Sequence, residues 1–324
     1  MIYNDKIYGK FEITEPVILE LIKSPALQRL KKINQYGYVG SYLPVAKTSR
    51  FEHSLGVFCL LRKYGAPTEE QISGLLHDVS HSAFSHCIDY ILKKKTADKQ
   101  SYQDDIFDAY IRKTEIPQIL KEYGIKVNSI LDDKNFPLKE KNLPDICADR
   151  IDYLLRDSRC FGVIDKNKIN YFLKNLEAKN GRWFFKNYQS ARMFAKLFYE
   201  VNKKYYAGLP TALMFRAVGD CLEYALDKGY LNKKALYTTD KEVLEKLRKN
   251  LKKDEKLNLL WKRMNKKIKY KLGSGSKISC KSRAVDPFFL KNGKLMRVSD
   301  VDKNWKDVVK KESKPKEYFI KFKE

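Results

Sequence analysis

Three of the four histidines in the chain lie close together, at His77, His81 and His86, and the fourth is His53. His77 is followed directly by Asp78, which places an imidazole beside a carboxylate, and His81 comes one helical turn later on the same face. Imidazole nitrogens and carboxylate oxygens suit a divalent transition metal that keeps open positions for water and substrate. The alternative is a helix end with scattered polar side chains.

A further ligand is expected from the predicted helix of residues 145–157, where Asp149 lies on an otherwise apolar face. A buried carboxylate without a partner costs free energy, so Asp149 needs a positive charge beside it. A metal held by His53, His77 and Asp78 would supply that charge. A salt bridge to Arg29 or Arg50 is the alternative.

Helices dominate the elements that must position these residues. The chain has 324 residues, of which 43% are apolar, and this is enough for a sizeable core. After the glycine- and serine-rich residues 273–276 the pattern changes to short alternating runs, with a hairpin turn at Asn292-Gly293. We therefore expect a mostly α-helical domain over residues 1–271, a linker at 273–276, and a small β-containing appendix over residues 277–324.

Single helices are predicted over several longer stretches, and the first residues are predicted to form a short hairpin or extended arm. The stretches that bear on the site are one that starts near residue 54, one that starts at residue 68 and carries His77 and Asp78, and those at 145–157, 190–206, 210–228 and 240–269.

Sequence features that would indicate a membrane or secreted protein are missing. No run approaches the length of a membrane span, and the N-terminus lacks an apolar signal region. The six cysteines stand singly, without a CxxC pair, which is typical of reduced thiols. These observations predict an intracellular, cytoplasmic protein that does not act on a membrane.

The chain is strongly basic, with a formal net charge of +25, and such a field attracts polyanions. A lysine-rich proteome explains the charge equally well. Residues 232–271 contain 15 Lys plus Arg against 5 Asp plus Glu. With Trp261 and Tyr270, this region could bind single-stranded nucleic acid by charge and stacking, or it could be a solvated helix face.

Four sequence blocks, in this order, resemble those of the deoxynucleoside triphosphate triphosphohydrolases. These enzymes are a branch of the HD-domain metal-dependent phosphohydrolases that contains bacterial dGTPases and the SAM-and-HD-domain enzyme. The resemblance covers about residues 20–165. The blocks are PALQRLKKINQYG at 25–37, SRFEHSLGV at 49–57, GLLHDVSHSAFSH at 74–86 and ADRIDYLLRDS at 148–158.

The resemblance implies a mostly α-helical HD fold and a role for each matching residue. One divalent metal ion, of Mn, Fe, Mg, Zn, Ni or Co, would be held by His53, His77, Asp78 and Asp149. The catalytic residues would be His81, which contacts the phosphate, and His86 with Asp89. The substrate-binding residues would be Gln28, Arg50, Arg150, Tyr153 and Asp157. Arg150, Tyr153 and Asp157 also share one face of a helix by their spacing alone.

The expected activity is the hydrolysis of a deoxynucleoside triphosphate to deoxynucleoside and triphosphate, by a homo-oligomer. The sequence departs from the family pattern where a further histidine is usual, since Tyr102 or Gln103 stands there. In the helix around residues 206–219, where the family usually has an arginine for the terminal phosphate and a tyrosine near the sugar, it has Tyr206 and Met214, with Lys203, Lys204 and Arg216 nearby.

Two alternative functions therefore stay open. One is an HD-type nucleotidase or phosphodiesterase of another nucleotide specificity, and the other is a nucleic-acid-binding protein with a vestigial HD site. Residues 281–287 could line the edge of a pocket or form a structural turn.

Overall fold

Helices form most of the computed structural model, which describes residues 1–38, 40–45, 47–92 and 102–323. The described helices are α1 (Pro16–Lys23), α2 (Pro25–Arg29), α3 (Arg50–Lys63), α4 (Thr68–Leu76), α5 (Asp89–Leu92), α6 (Tyr102–Ile111), α7 (Ile116–Glu122), α8 (Val127–Leu131), α9 (Ala148–Cys160), α10 (Lys166–Asn175), α11 (Tyr188–Val201), α12 (Leu209–Asp227), α13 (Asp240–Arg248), α14 (Glu255–Met264), α15 (Val298–Val301) and α16 (Lys303–Glu312). This architecture confirms the predicted mostly α-helical fold with a small β-containing C-terminal part.

Small sheets complete the fold. The strands are β1 (Ile2–Asp5), β2 (Gly9–Glu12), β3 (Leu176–Lys179), β4 (Arg182–Phe185), β5 (Tyr270–Cys280), β6 (Phe288–Lys291), β7 (Lys294–Arg297) and β8 (Lys316–Phe322). The β1–β2 hairpin confirms the predicted N-terminal hairpin, and β6 and β7 flank the predicted Asn292-Gly293 turn. The order β3-β4-β6-β7 includes a parallel pair between β4 and β6, so the C-terminal segment extends a sheet of the helical body.

The predicted linker at residues 273–276 is wrong, because these residues lie inside β5. The pairing of β5 with β8 shifts register between Leu272 and Ser276. A Cβ atom on Gly275, which has φ +88°, would lie 2.4 Å from the carbonyl oxygen of Ile320. Only glycine fits this close approach of two strands, so the glycines mark a bulged strand. The division into residues 1–271 and 277–324 stays a prediction.

Local capping explains where the site helices begin and end. The side chain of Ser49 accepts a hydrogen bond from the backbone N–H of Glu52, and the Glu52 carboxylate bonds back to Ser49, so α3 begins at Arg50, before the predicted start near residue 54. The predicted continuation of α4 through His77 and Asp78 is wrong, because this helix ends at Leu76.

Two other predicted helices are interrupted. The stretch 240–269 forms α13 and α14 in place of one helix, because Asp254 has a non-helical backbone and its side chain caps α14 at Leu257. The stretch 190–206 ends as an α-helix at Val201 and continues as a π-helical turn over Asn202–Tyr206.

Two apolar cores meet at the histidine-rich segment. One core is built mainly from α1, α3, α4, α9 and α11, and it includes Val79. The other combines α12 and α14 with β5 and β8, and it includes Phe84. The segment between Val79 and Phe84 is therefore held on both sides, and His81 lies within it. None of the described helices is long and apolar enough to span a membrane.

Candidate metal centre and its cavity

Three side chains from separate parts of the fold converge on one point. His53 lies near the start of α3, His77 directly follows α4, and Asp149 lies in the first turn of α9. The Nε2 atom of His53 is 2.9 Å from Oδ1 of Asp149 and 3.2 Å from Nε2 of His77, which is 3.6 Å from the same oxygen. Two nitrogens and one oxygen therefore face one another around a space that suits a single cation.

The neighbours of the two rings determine which nitrogen faces this centre. The Asp152 carboxylate lies 2.7 Å from Nδ1 of His53, and the carbonyl oxygen of Gly74 lies 2.7 Å from Nδ1 of His77. A carboxylate and a carbonyl only accept hydrogen bonds, so each Nδ1 carries a hydrogen and each Nε2 is left to bind a proton or a metal ion. Two imidazole nitrogens 3.2 Å apart repel unless a proton or a metal ion lies between them.

Charge at the centre shows the same demand for a cation. Burial lowers the pKa of His53, but hydrogen bonds to Asp149 and Asp152 outweigh burial and raise that pKa to about 10. Burial raises the pKa of Asp149, but its contacts with His53 and His77 hold that pKa well below its usual range. The nitrogen and oxygen donors present thus fit a divalent metal ion.

Asp78 lies beside this centre and forms an ion pair with Arg50. Its carboxylate oxygens are 3.9 Å from Nε2 of His53 and 3.5 Å from Nε2 of His77, and Oδ2 accepts a hydrogen bond from Arg50 at 2.7 Å. Burial raises the pKa of Asp78, but Arg50 holds it well below its usual range. The salt bridge considered for Asp149 is thus made by Asp78 to Arg50, and Asp78 as a metal ligand stays a prediction.

A second donor group, formed by Glu140, Cys147 and Asp149, adjoins the first. The guanidinium of Arg150 fills it, with Nη2 3.0 Å from Oε1 of Glu140 and Nη1 3.1 Å from the sulfur of Cys147. This group is therefore satisfied by the protein's own cation, and Arg150 is fixed in the wall beside the metal centre.

The three predicted catalytic residues lie together next to Asp78. The Nε2 atom of His81 is 3.4 Å from an Asp78 oxygen but forms no hydrogen bond to any described residue. The His81 ring packs edge-on against the ring of His86 at a centroid distance of 5.0 Å. Nδ1 of His86 lies 3.0 Å from Oδ2 of Asp89, which leaves Nε2 of His86 for other partners. Burial lowers the pKa of both histidines.

A cavity of about 540 Å³ adjoins the metal centre. Of the predicted substrate-binding residues, Arg50, Arg150, Tyr153 and Asp157 line it. Gln28 lies outside, and its side-chain amide donates to a backbone carbonyl at 2.5 Å. The structure therefore brings four of the five together.

A buried carboxyl group, that of Asp157, also lines the cavity. Burial raises the pKa of Asp157 to about 7, and the hydroxyl of Tyr206 donates to its Oδ2 at 2.7 Å. Its Oδ1 is buried and forms no hydrogen bond to the described residues. An acceptor in this state favours a ligand that brings a hydroxyl donor.

The segment that lacks the expected histidine is also at the cavity. Gln103 lines it, whereas the hydroxyl of Tyr102 lies 3.0 Å from the hydroxyl of Tyr237. Asp104 follows, and burial raises its pKa to about 6. Of the two residues that stand in place of the expected histidine in the sequence, Gln103 is thus the one that lines the cavity. Two of the residues that depart from the family pattern can also be placed. Tyr206, at the end of the π-helical turn, lines the cavity, whereas Arg216 on α12 pairs with Asp220 at 2.7 Å.

Sequence reasoning missed the role of Asp152 and left the segment 281–287 undecided. Asp152 is three residues after Asp149 on α9, and this spacing could have indicated it. Lys281 and Arg283 line the cavity. Nothing in the local pattern indicated that they would meet residues more than 100 positions earlier.

The metal centre lies in a region that matches a known family. The family model of the HD domain matches residues 50–157, from the start of α3 to Asp157 in α9. All four predicted metal ligands lie within this range.

Several curated proteins are similar to the chain. The uncharacterized protein YdhJ of Bacillus subtilis is 39% identical over 260 residues, which are 79% of this chain and 78% of that protein. The metal-dependent phosphohydrolase cns2 of Cordyceps militaris is 38% identical over 178 residues, 55% of this chain and 51% of the relative. The deoxynucleoside triphosphate triphosphohydrolase SAMHD1 of Danio rerio is 29% identical over 221 residues, 52% of this chain and 35% of that protein. The chain thus spans about half of the second relative and about a third of the third.

A solved structure shares the fold over the whole chain. The phosphohydrolase from Bacteroides thetaiotaomicron superposes with a TM-score of 0.74, covers 100% of both chains and is 18% identical.

Proposed function

The chain belongs to the HD-domain family of metal-dependent phosphohydrolases, and from this premise we propose that it hydrolyses a deoxynucleoside triphosphate to deoxynucleoside and triphosphate. In this reaction the oxygen of water bonds to the α-phosphorus, and the bond from that phosphorus to the 5′-oxygen breaks. The 5′-oxygen then takes up a proton. The likeness of the chain to SAMHD1, which carries this activity in its name, supports this choice among phosphohydrolases.

The position of α9 along the cavity is the main support for this proposal. Asp149 in its first turn lies at the metal centre, and Asp157 lies eight positions later, about 12 Å along the helix axis at 1.5 Å per residue. Tyr153 lies between them on the same face and also lines the cavity. A ligand along this wall would meet a metal at one end and a buried hydroxyl acceptor at the other, as a phosphorylated sugar requires.

Each residue of the centre has a task in such a reaction. A divalent metal held by His53, His77 and Asp149 would stabilise the charge on phosphate oxygens and lower the pKa of a bound water. Asp152 and the Gly74 carbonyl keep the two imidazoles in the orientation that this binding needs.

Proton transfer falls to the pair His86 and Asp89. The Asp89 carboxylate holds Nδ1 of His86, so Nε2 can give a proton to the leaving 5′-oxygen. His81 lies next to this ring with an unsatisfied Nε2, which suits a contact to a phosphate. Asp157 would accept a hydrogen bond from the 3′-hydroxyl of the sugar.

The test is product identification. Purified protein would be incubated with each dNTP and each NTP, with Mn²⁺, Mg²⁺, Fe²⁺, Co²⁺, Ni²⁺ or Zn²⁺ in turn, and the products separated by ion-exchange chromatography. We expect deoxynucleoside and triphosphate in equal amounts. Release of inorganic phosphate or pyrophosphate would contradict the proposal and favour an HD-type nucleotidase of another specificity.

That second candidate has one structural observation in its favour. Gln103 and Asp104 stand at the cavity where a second imidazole is usual, and Gln103 cannot move a proton near neutral pH. Binding of single-stranded nucleic acid through residues 232–271, self-association and a cytoplasmic location stay predictions.

A further inference from the structure

The segment that follows β5 presents two basic side chains to the cavity. Residues 281–284 alternate between half-buried and buried positions, and the half-buried ones are Lys281 and Arg283. Both line the cavity beside the metal centre. Ser282, between them, is only 4% exposed and lies on the opposite side of the segment.

Buried contacts fix this segment on the side away from the cavity. The hydroxyl of Ser282 accepts from the side-chain amide of Asn202 at 3.0 Å and donates to the Glu312 carboxylate at 2.5 Å. The backbone N–H of Arg283 donates to the Asn202 oxygen at 3.1 Å. Further along, the indole of Trp305 donates to the carbonyl oxygen of Val285 at 3.1 Å. The two basic side chains therefore start from a rigid backbone, which favours a built binding wall over a loose turn.

Three more basic residues of the cavity wall form ion pairs with carboxylates. Arg50 binds Asp78 at 2.7 Å, Arg150 binds Glu140 at 3.0 Å, and Lys139 pairs with Asp133. Among the described residues, five lysine and arginine side chains therefore line the cavity, and the segment after β5 contributes two of them, Lys281 and Arg283.

The charges of Arg283 and Arg150 both act on Lys281. Burial lowers the pKa of Lys281, and the charges of Arg283 and Arg150 lower it further, to about 8, although Asp104 and Glu140 act in the opposite direction. The charge of Arg283 also lowers the pKa of His86 and of the Tyr153 hydroxyl, so Arg283 is near both the predicted proton donor and the sugar-facing wall. A cluster of cations that destabilise one another gains most from an anion placed between them.

We propose that Lys281 and Arg283 form a phosphate-binding subsite of the active site, which takes the polyphosphate chain of the substrate. The C-terminal segment would then be part of the catalytic cavity. The inference rests on the proposed function for the identity of the substrate, but a polyphosphate probe tests the subsite directly.

The experiment measures binding of inorganic tripolyphosphate to the metal-loaded protein by isothermal titration calorimetry, with Mg²⁺ in excess over the probe. Lys281→Met keeps the apolar stem and removes the charge, and Arg283→Gln keeps a polar side chain of similar reach. Lys291→Met, on the exposed face of β6, is the matched control. Lys281→Arg tests whether a cation restores binding, and circular dichroism checks that each variant is folded.

We expect Lys281→Met and Arg283→Gln each to weaken tripolyphosphate binding about 10- to 100-fold, the value of one hydrogen bond between charged groups. Lys291→Met should bind as the wild type does, and Lys281→Arg should recover most of the loss. Equal binding by wild type, Lys281→Met and Arg283→Gln would overturn the subsite, and so would a wild type that does not bind tripolyphosphate. A wild type that binds tripolyphosphate through Lys281 but cleaves no dNTP would defeat only the proposed function.

Discussion

Asp152 holds the imidazole of His53 in place, since its carboxylate oxygen Oδ2 lies 2.7 Å from the Nδ1 atom of that ring. The guanidinium of Arg156 fixes Asp152 in turn, with hydrogen bonds of 3.0 and 2.8 Å to the two carboxylate oxygens, and it also binds Asp5 of β1 at 2.9 Å. A buried chain of charges thus runs from the N-terminal hairpin to the metal centre.

The first prediction follows from this contact. Asp152→Asn keeps the shape of the side chain but removes the negative charge that fixes His53, so metal affinity should fall about 10- to 100-fold. A metal titration followed by calorimetry measures this. Asp307→Asn, at an exposed position on α16, is the matched control. If both variants bound metal with equal affinity, the contact would have no role in orienting the ligand.

The second prediction concerns proton transfer. His86→Ala removes the only imidazole among the four histidines that is paired with a carboxylate outside the metal centre. Turnover on the confirmed substrate should fall about 100- to 10,000-fold, the usual value of general acid catalysis, while metal content stays unchanged. Turnover by His86→Ala at the wild-type rate would show that another group, with Asp104 as the next candidate, gives the proton.

The third prediction follows from the position of Gln103. This side chain lines the cavity, whereas the Tyr102 hydroxyl is bonded to Tyr237. If the site is that of a triphosphohydrolase, Gln103→His places a second imidazole at the substrate and should raise kcat, by up to about 10-fold. Tyr102→His, which faces away, is the matched control and should not raise it. A rate increase in Tyr102→His alone would show that position 102, and not position 103, faces the substrate.

The fourth prediction is a pH dependence of stability. Burial raises the pKa of Asp157 from the usual 3.8 to about 7, so between these pH values the folded protein holds a proton that the unfolded chain has lost. The contribution of Asp157 to the free energy of unfolding is therefore largest below pH 4 and is lost as the pH rises through 7.

Asp157→Asn resembles the protonated carboxyl group and does not titrate, so the variant should not lose stability through this group as the pH rises. Relative to the variant, the wild type should therefore lose about 2–3 kcal/mol of unfolding free energy between pH 5 and pH 8, at ~1.4 kcal/mol per pKa unit. Urea unfolding of both proteins at the two pH values measures it. A difference that is the same at pH 5 and pH 8 would show that Asp157 does not titrate in this range.

Local pattern predicted much of this site, because its residues are encoded in short segments. The spacing of Arg150, Tyr153 and Asp157 predicted one shared helix face, and all three lie on α9 and line the cavity. Helix ends were harder to predict, since they depend on single caps such as Asp254, whose side chain starts α14.

Long-range contacts could not be predicted from local pattern. Lys281 reaches the cavity because Ser282 is anchored to Asn202 and Glu312, and these contacts join parts of the chain that are far apart in sequence. Gln28 shows the reverse case. The family resemblance assigned it to the sugar, but its side chain turns to a backbone carbonyl outside the cavity.

The proposed reaction requires a metal ion at the centre formed by His53, His77 and Asp149. The metal content of the purified wild type and of the double variant His77→Ala/Asp78→Ala, measured by inductively coupled plasma mass spectrometry, tests it. We predict about one equivalent of a divalent metal per chain in the wild type and none in the variant, which should keep its helical circular dichroism spectrum because both residues lie beyond the end of α4. Full metal occupancy in the folded double variant would show that His77 and Asp78 do not hold the metal.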